Sequence, residues 1–179
     1  MATFEFITSG TMASNATTFT VTSIPSTYQH LCLKWRLRSD VAGIGDGWRI
    51  QINGSDILSS STSSRIGAYA SSTGSASLSA SAEMNNALST GNNYGSGHYS
   101  AVDMWITNYT SSSASNKITL VRSHWGGVPT SSLGNLYTQG TNLISTSSAI
   151  TSVGLRYPDS GGTNMLAGSK VWVYGILTS

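Results

Sequence analysis

Residues 28–38 read Tyr-Gln-His-Leu-Cys-Leu-Lys-Trp-Arg-Leu-Arg, and from Leu31 to Leu37 every second side chain is large and apolar. Leu31, Leu33, Trp35 and Leu37 fall on one side of an extended chain, and His30, Cys32, Lys34, Arg36 and Arg38 fall on the other. A helix returns to the same face every three or four residues. A period of two therefore requires a half-buried strand, with one face in a core and the other in solvent or at an interface.

The same pattern recurs along the chain. Trp48, Ile50 and Ile52 share a face, and Asn53-Gly54 after them supplies a tight turn into a partner strand over Ser55–Ser59. Within 99–109, Val102, Met104 and Ile106 alternate with Asp103, Trp105 and Thr107, and the segment 116–125 completes a second hairpin. Phe4–Thr8, Thr18–Ile24, 149–157 and 170–177 read as further strands, with Pro25 making a corner and the last strand closing the sheet. Composition agrees: 55 residues are Ser or Thr, 19 are Gly and only 9% are charged, which is a poor supply for helical surfaces built from Glu, Lys, Arg and Gln. Disorder is excluded by 39% hydrophobic residues, including five Trp and eight Tyr.

The expected fold is therefore all-β, an antiparallel β-sandwich occupying 1–179 as a single domain. Long Ser/Gly-rich loops are expected over 59–98 and 126–148. Loops of that length inside a compact domain usually serve contacts. Tyr69, Tyr94 and Tyr137 stand among small polar residues there, a mixture that recognition loops use. With the polar face of the 28–38 strand, this makes His30, Lys34, Arg36, Arg38, Tyr69, Tyr94 and Tyr137 the candidate interface.

Several function classes are disfavoured. A formal charge of +2 with dispersed Lys and Arg gives no electrostatic footprint for nucleic acid. No apolar run approaches the roughly 20 residues that cross a bilayer, so no membrane partner is expected. The first residues lack the basic and apolar regions of a signal peptide, which points to synthesis in a cytoplasm. A lone cysteine, Cys32, forms no internal disulfide and no multi-Cys zinc site. His30, His98 and His124 lie far apart, Gly95-Ser96-Gly97 is a turn with no features of a nucleophile elbow, and the acids are scattered singly. No catalytic, cofactor-binding or metal-binding residue is assigned, no cofactor is expected, and the chain reads as a non-enzyme. Trp48, Trp105, Trp125 and Trp172 leave a carbohydrate-binding module as the alternative, since aromatic faces stack on sugar rings.

Five segments carry a resemblance. They are Phe4-Glu5-Phe6-Ile7; Ile24-Pro25-Ser26-Thr27-Tyr28-Gln29-His30-Leu31; Ile106-Thr107-Asn108-Tyr109 followed by Asn116-Lys117; Ala149 to Leu155; and Gly168-Ser169 leading into Val173-Tyr174-Gly175-Ile176. In this order they resemble a family of small virion structural proteins of tailed bacteriophages, including phages of cyanobacteria. The resemblance spans nearly the whole chain. It implies a jelly-roll sandwich on the virion exterior, as a capsid decoration (cement) protein or a tail-associated one. Its partners would be the major capsid protein or tail proteins and other copies of itself. A trimer is the expected state because local three-fold positions recur across icosahedral shells. A tail-fibre or receptor-binding role, with surface glycans as partners, is the second expectation.

Residue by residue, the same segments read as architecture. Pro25 fixes φ ahead of the long strand, His30 can bond nearby backbone through a ring nitrogen, and Gly175 between Tyr174 and Ile176 marks a close approach by a neighbour.

Overall fold

The computed structural model describes residues 3–42, 45–57, 63–69, 72–79, 87–92, 97–113, 117–125, 136–157 and 163–177. Among them are thirteen strands and no α-helix. In chain order they are β1 (Thr3–Thr11), β2 (Thr18–Val21), β3 (His30–Leu37), β4 (Gly45–Ile52), β5 (Ser55–Asp56), β6 (Ser63–Tyr69) and β7 (Ser72–Ser79). There follow β8 (Ala87–Thr90), β9 (Ser100–Ile106), β10 (Lys117–Trp125), β11 (Leu136–Ile144), β12 (Val153–Arg156) and β13 (Lys170–Leu177).

They form an eight-stranded sheet ordered β1-β13-β3-β9-β10-β11-β6-β7 and a five-stranded one ordered β2-β12-β4-β5, with β8 also on β4. All the paired strands run antiparallel. The fold is all-β and sandwich-like. Leu31, Leu33, Trp35 and Leu37 of β3 are buried, together with Val102, Met104 and Ile106 of β9 and Val171 and Val173 of β13. They meet Phe19 and Val21 of β2, Trp48, Ile50 and Ile52 of β4, and Val153 and Leu155 of β12 from the other sheet. Phe19 lies edge-on to Trp35 across the two sheets, ring centres 5.4 Å apart.

Two expectations are corrected. The stretches 59–98 and 126–148 hold strands: β6, β7 and β8 in the first and β11 in the second. The inward side chains explain why β11 escapes pattern reading. Its buried row is Thr138, Gly140, Asn142 and Ile144, facing Lys117, Thr119, Val121 and Ser123 of β10, so most of the buried positions are polar or carry no side chain. The Asn142 amide donates to Thr119 Oγ1 at 3.1 Å, and backbone pairing with β10 and β6 supplies the rest. The last strand also does not close the sheet. β13 lies between β1 and β3, and β1 is the edge.

The Asn53-Gly54 turn takes positive φ at both residues, 52° and 79°, which suits the twist of the β4-β5 hairpin. Asn53 does more than turn the chain. Its Oδ1 accepts from the backbone N–H of Thr151 and Ser152, and its Nδ2 donates to the Ala149 carbonyl. The segment leading into β12 is thereby clamped.

Candidate functional site

Residues from four of the segments singled out in sequence, with Gly175 of the fifth, converge on one end of the sandwich, while Gly168-Ser169 bonds Met12 and Arg38 at the far end of β13. The Tyr109 hydroxyl, in the turn after β9, donates to the Pro25 carbonyl and accepts the Tyr28 N–H at 3.3 Å. His30 Nδ1 accepts the Asn108 N–H at 3.0 Å, so the other ring nitrogen carries the hydrogen when the imidazole is neutral. Ile150 N–H donates to the Tyr109 carbonyl and Ile24 N–H to that of Thr151. The Tyr28 ring lies on Gly175, where an added Cβ would be 2.2 Å from the ring, and its hydroxyl donates to Glu5 Oε2 at 3.0 Å. These residues hold a corner together.

The outward face of the larger sheet has a different chemistry. Successive rows run across β1, β13, β3, β9, β10 and β11. The row nearest the corner is Phe4, Ile176, His30, Thr107, Ile118 and Leu143, and the next is Phe6, Tyr174, Cys32, Trp105, Leu120 and Thr141. The third is Trp172, Lys34, Asp103, Arg122 and Gln139, and the fourth is Lys170, Arg36, Ala101, His124 and Tyr137. The face is thus apolar at the corner end and charged at the other.

At the apolar end Phe4 meets Trp105 edge-on at 5.6 Å and Phe6 meets Tyr174 at 5.8 Å. Phe4 remains 53% exposed, Phe6 59% and Ile118 46%. A cleft of about 310 Å³ opens there between Phe4, His30, Trp105, Thr107 and Ile176. Alternation along β1 puts Phe4 and Phe6 on this face and turns Ile7 toward the core, and the register on β13 slips only after Phe6. Cys32 lies between Tyr174 and Trp105 and is fully buried. Burial pushes its thiol up to about 11, with the Lys34 charge pulling the other way, so it stays protonated and unreactive.

At the charged end Lys34 Nζ pairs with Asp103 Oδ1 at 3.0 Å, and the Arg36 guanidinium lies 3.8 Å over the Tyr99 ring. Trp172 flanks the pair, and a shallow groove of about 610 Å³ runs over the third and fourth rows and against Tyr99.

No family model, curated protein or solved structure matches the chain.

The seven candidate interface residues therefore have different surroundings. Lys34 and Arg36 point outward into the groove. His30 is half-buried in the corner, while Arg38, also half-buried, donates from Nη2 to Asn92 Oδ1 at 2.8 Å and from its backbone to Ser169 Oγ. Tyr137 is exposed at the end of the fourth row, and its hydroxyl donates to Gln139. Tyr69 ends β6, with its side chain outside the described residues, and Tyr94 lies outside them altogether. Of the tryptophans weighed for sugar stacking, Trp48 is completely buried against Tyr157 and has no face to offer, and the Trp125 side chain lies outside the described residues. Trp105 and Trp172 remain half-exposed on the outward face.

Elsewhere the carboxylates act as clasps. Asp40 holds Asn164 through its backbone N–H at 2.7 Å and its amide at 2.8 Å. Asp56, at the β5 end of the smaller sheet, accepts from Arg156 Nε at 3.1 Å, from Arg156 Nη2 and from Gln51 Nε2 at 2.9 Å, with Arg49 3.7 Å away. The Arg156 bonds hold its carboxyl below the usual carboxylate range, so it is a poor proton acceptor. Among the described residues no group of three or more His, Cys, Asp or Glu is placed to hold a metal ion.

Asp56→Asn should cost about 1.5–3 kcal/mol, because two guanidiniums lose their charged acceptor. A depressed folded-state pKa stabilises the fold above the unfolded value of about 3.9 and loses that contribution as pH falls through the folded value. The gap between wild type and Asp56→Asn in urea midpoints should therefore be full at pH 7 and shrink below about pH 4. A gap independent of pH down to the acid transition would show that the carboxylate's charge is not what the arginines hold.

Proposed function

We propose that the chain is a non-enzymatic structural protein of a phage virion, most simply a capsid decoration protein, which assembles with copies of itself through the apolar end of the outward sheet face. The observation that carries this reading is that apolar half-face. Exposed apolar surface of this kind marks a partner site, and Phe4, Phe6, Tyr174, Trp105, Ile118 and Leu143 supply one. The occupant we favour is a second copy, because a charge of +2 over 179 residues gives copies little electrostatic reason to stay apart. A trimer is the preferred state.

Strand order supports the viral half of the reading. Setting aside β5, β6, β7, β10 and β11, the remaining eight strands form two groups, β1-β13-β3-β9 and β2-β12-β4-β8. Eight strands interleaved between two sheets in this way support the jelly-roll reading, an architecture that recurs in viral capsid and lectin domains. Much of what resembles virion proteins, Glu5, Pro25, Tyr28, His30, Tyr109 and Gly175 among it, also meets in one structural corner, which suits a shared architecture more than a shared chemistry.

Sedimentation of the pure protein tests assembly. We expect a concentration-dependent oligomer, converted to monomer by Phe4→Glu with Phe6→Glu while the circular dichroism stays that of strands. A strict monomer at every concentration would overturn self-assembly through this face. Mass spectrometry of purified particles tests the virion role. A copy number on the scale of the shell subunits supports decoration, a handful per particle moves the chain to the tail, and its absence from particles removes the reading.

A further inference from the structure

We infer that the groove at the charged end of the outward face binds an acidic saccharide, a uronic-acid unit stacked on Trp172 with its carboxylate toward Arg36. This goes beyond the assembly role and uses rows that the apolar contact leaves uncovered.

Three features define the ligand. The first is an aromatic platform. Trp172 stands half-exposed directly across from Lys34 in the register, and Tyr99 forms another wall of the same groove. Rings beside the charged groups of one groove suit a ligand with one apolar C–H face and a polar rim, the shape of a pyranose. The second is the Lys34–Asp103 pair, whose side chains are 52% and 45% exposed. Lys34 Nζ gives one hydrogen to Asp103 Oδ1. Among the described residues, Asp103 Oδ2 and the remaining ammonium hydrogens make no other bond, leaving an acceptor and donors side by side. Neighbouring hydroxyls on a sugar ring satisfy such a set, each accepting one bond and donating another.

The third feature is charge. Lys34 and Asp103 neutralise one another, but Arg36, Arg122 and Lys170 occupy the same two rows with Asp103 the sole acid there. Arg36 is already held over the Tyr99 ring, so its planar fork is oriented before any ligand arrives. A carboxylate-bearing sugar answers that surplus and a neutral one does not. Ala101, exposed between Arg36 and His124, leaves the floor open.

The probes are a tetramer of galacturonate, maltotetraose as the neutral sugar, and short polyacrylate as charge without rings, each titrated by heteronuclear NMR. Galacturonate should shift the resonances of Trp172, Lys34 and Ala101, bind at least about tenfold tighter than either control, and lose about tenfold in affinity with Arg36→Ala, equivalent to roughly 1.4 kcal/mol. Trp172→Ala should abolish the binding. Because that change also removes packing, Ala101→Phe, which fills the groove from an exposed position, should block binding independently, and Phe6→Ala should leave it unchanged. Maltotetraose or polyacrylate binding as well as galacturonate would overturn the acidic-saccharide assignment. So would no shift at millimolar galacturonate, or binding that survives both Trp172→Ala and Ala101→Phe. Self-association measured on the same samples reports separately on the assembly role.

Discussion

Gly175→Ala should destabilise the protein by about 3 kcal/mol or more, although alanine in an open strand position normally gains roughly 0.5–1 kcal/mol over glycine. The new Cβ would sit 2.2 Å from Tyr28 Cγ and 2.4 Å from both Cδ atoms, well inside van der Waals contact. Neither side can yield cheaply. β13 is paired with β1 through Glu5 on one flank and with β3 through Leu31 on the other. The Tyr28 ring is tied through its own N–H to Tyr109, through its hydroxyl to Glu5 and through the next N–H, Gln29, to the Ile176 carbonyl. Urea unfolding measures the loss, and a double-mutant cycle identifies its cause. In a Tyr28→Ala background, Gly175→Ala should cost under about 1 kcal/mol, because the colliding ring is gone. Strict additivity of the two changes, or a single Gly175→Ala that unfolds at the wild-type midpoint, would show that the ring is free to move aside.

That corner was visible in the chain as single residues and invisible as an assembly. Pro25, His30 and Gly175 each announce a local restriction, and alternation along 28–38 and 99–109 places β3 and β9 with their inward faces correct. What pattern reading cannot supply is register between distant strands. The outward face divides into apolar and charged halves because Phe4 and Phe6 pair with Ile176 and Tyr174 from the far end of the sequence, while Lys34, Asp103 and Arg122 fall in one row of three other strands. His30 and Arg38 belong to the same alternating set as Lys34 and Arg36, but they sit at the two ends of the strand, where turns from elsewhere engage them. β6, β7 and β11 were hidden for another reason. Ser, Thr, Gly and Asn interrupt any apolar row in them, so apolar alternation is weak and pairing with neighbours decides the structure.

Trp35→Ala should cost about 3–5 kcal/mol, the range for truncating a buried tryptophan. Trp35 is 2% exposed, on the inward face of a central strand, and its ring meets Phe19 of the opposite sheet edge-on, so truncation opens a cavity at the contact between sheets. Its indole Nε1–H is buried with no hydrogen-bond partner among the described residues. An unpaired buried donor costs roughly 1–3 kcal/mol relative to its hydrated state, so part of what the ring area contributes is already offset. Trp35→Phe removes that donor and keeps an aromatic edge for Phe19, and it should therefore lose less than half of what Trp35→Ala loses. Lys34→Ala, one residue away on the outward face and paired only with exposed Asp103, should stay within about 0.5 kcal/mol. Urea midpoints at constant m-value measure all three. Equal losses for Trp35→Phe and Trp35→Ala would mean that the indole N–H finds a partner after all and that the polar contact, more than the packed ring, anchors the two sheets. A large loss at Lys34 would mean that the outward face contributes to the stability of the isolated chain, which its exposure argues against.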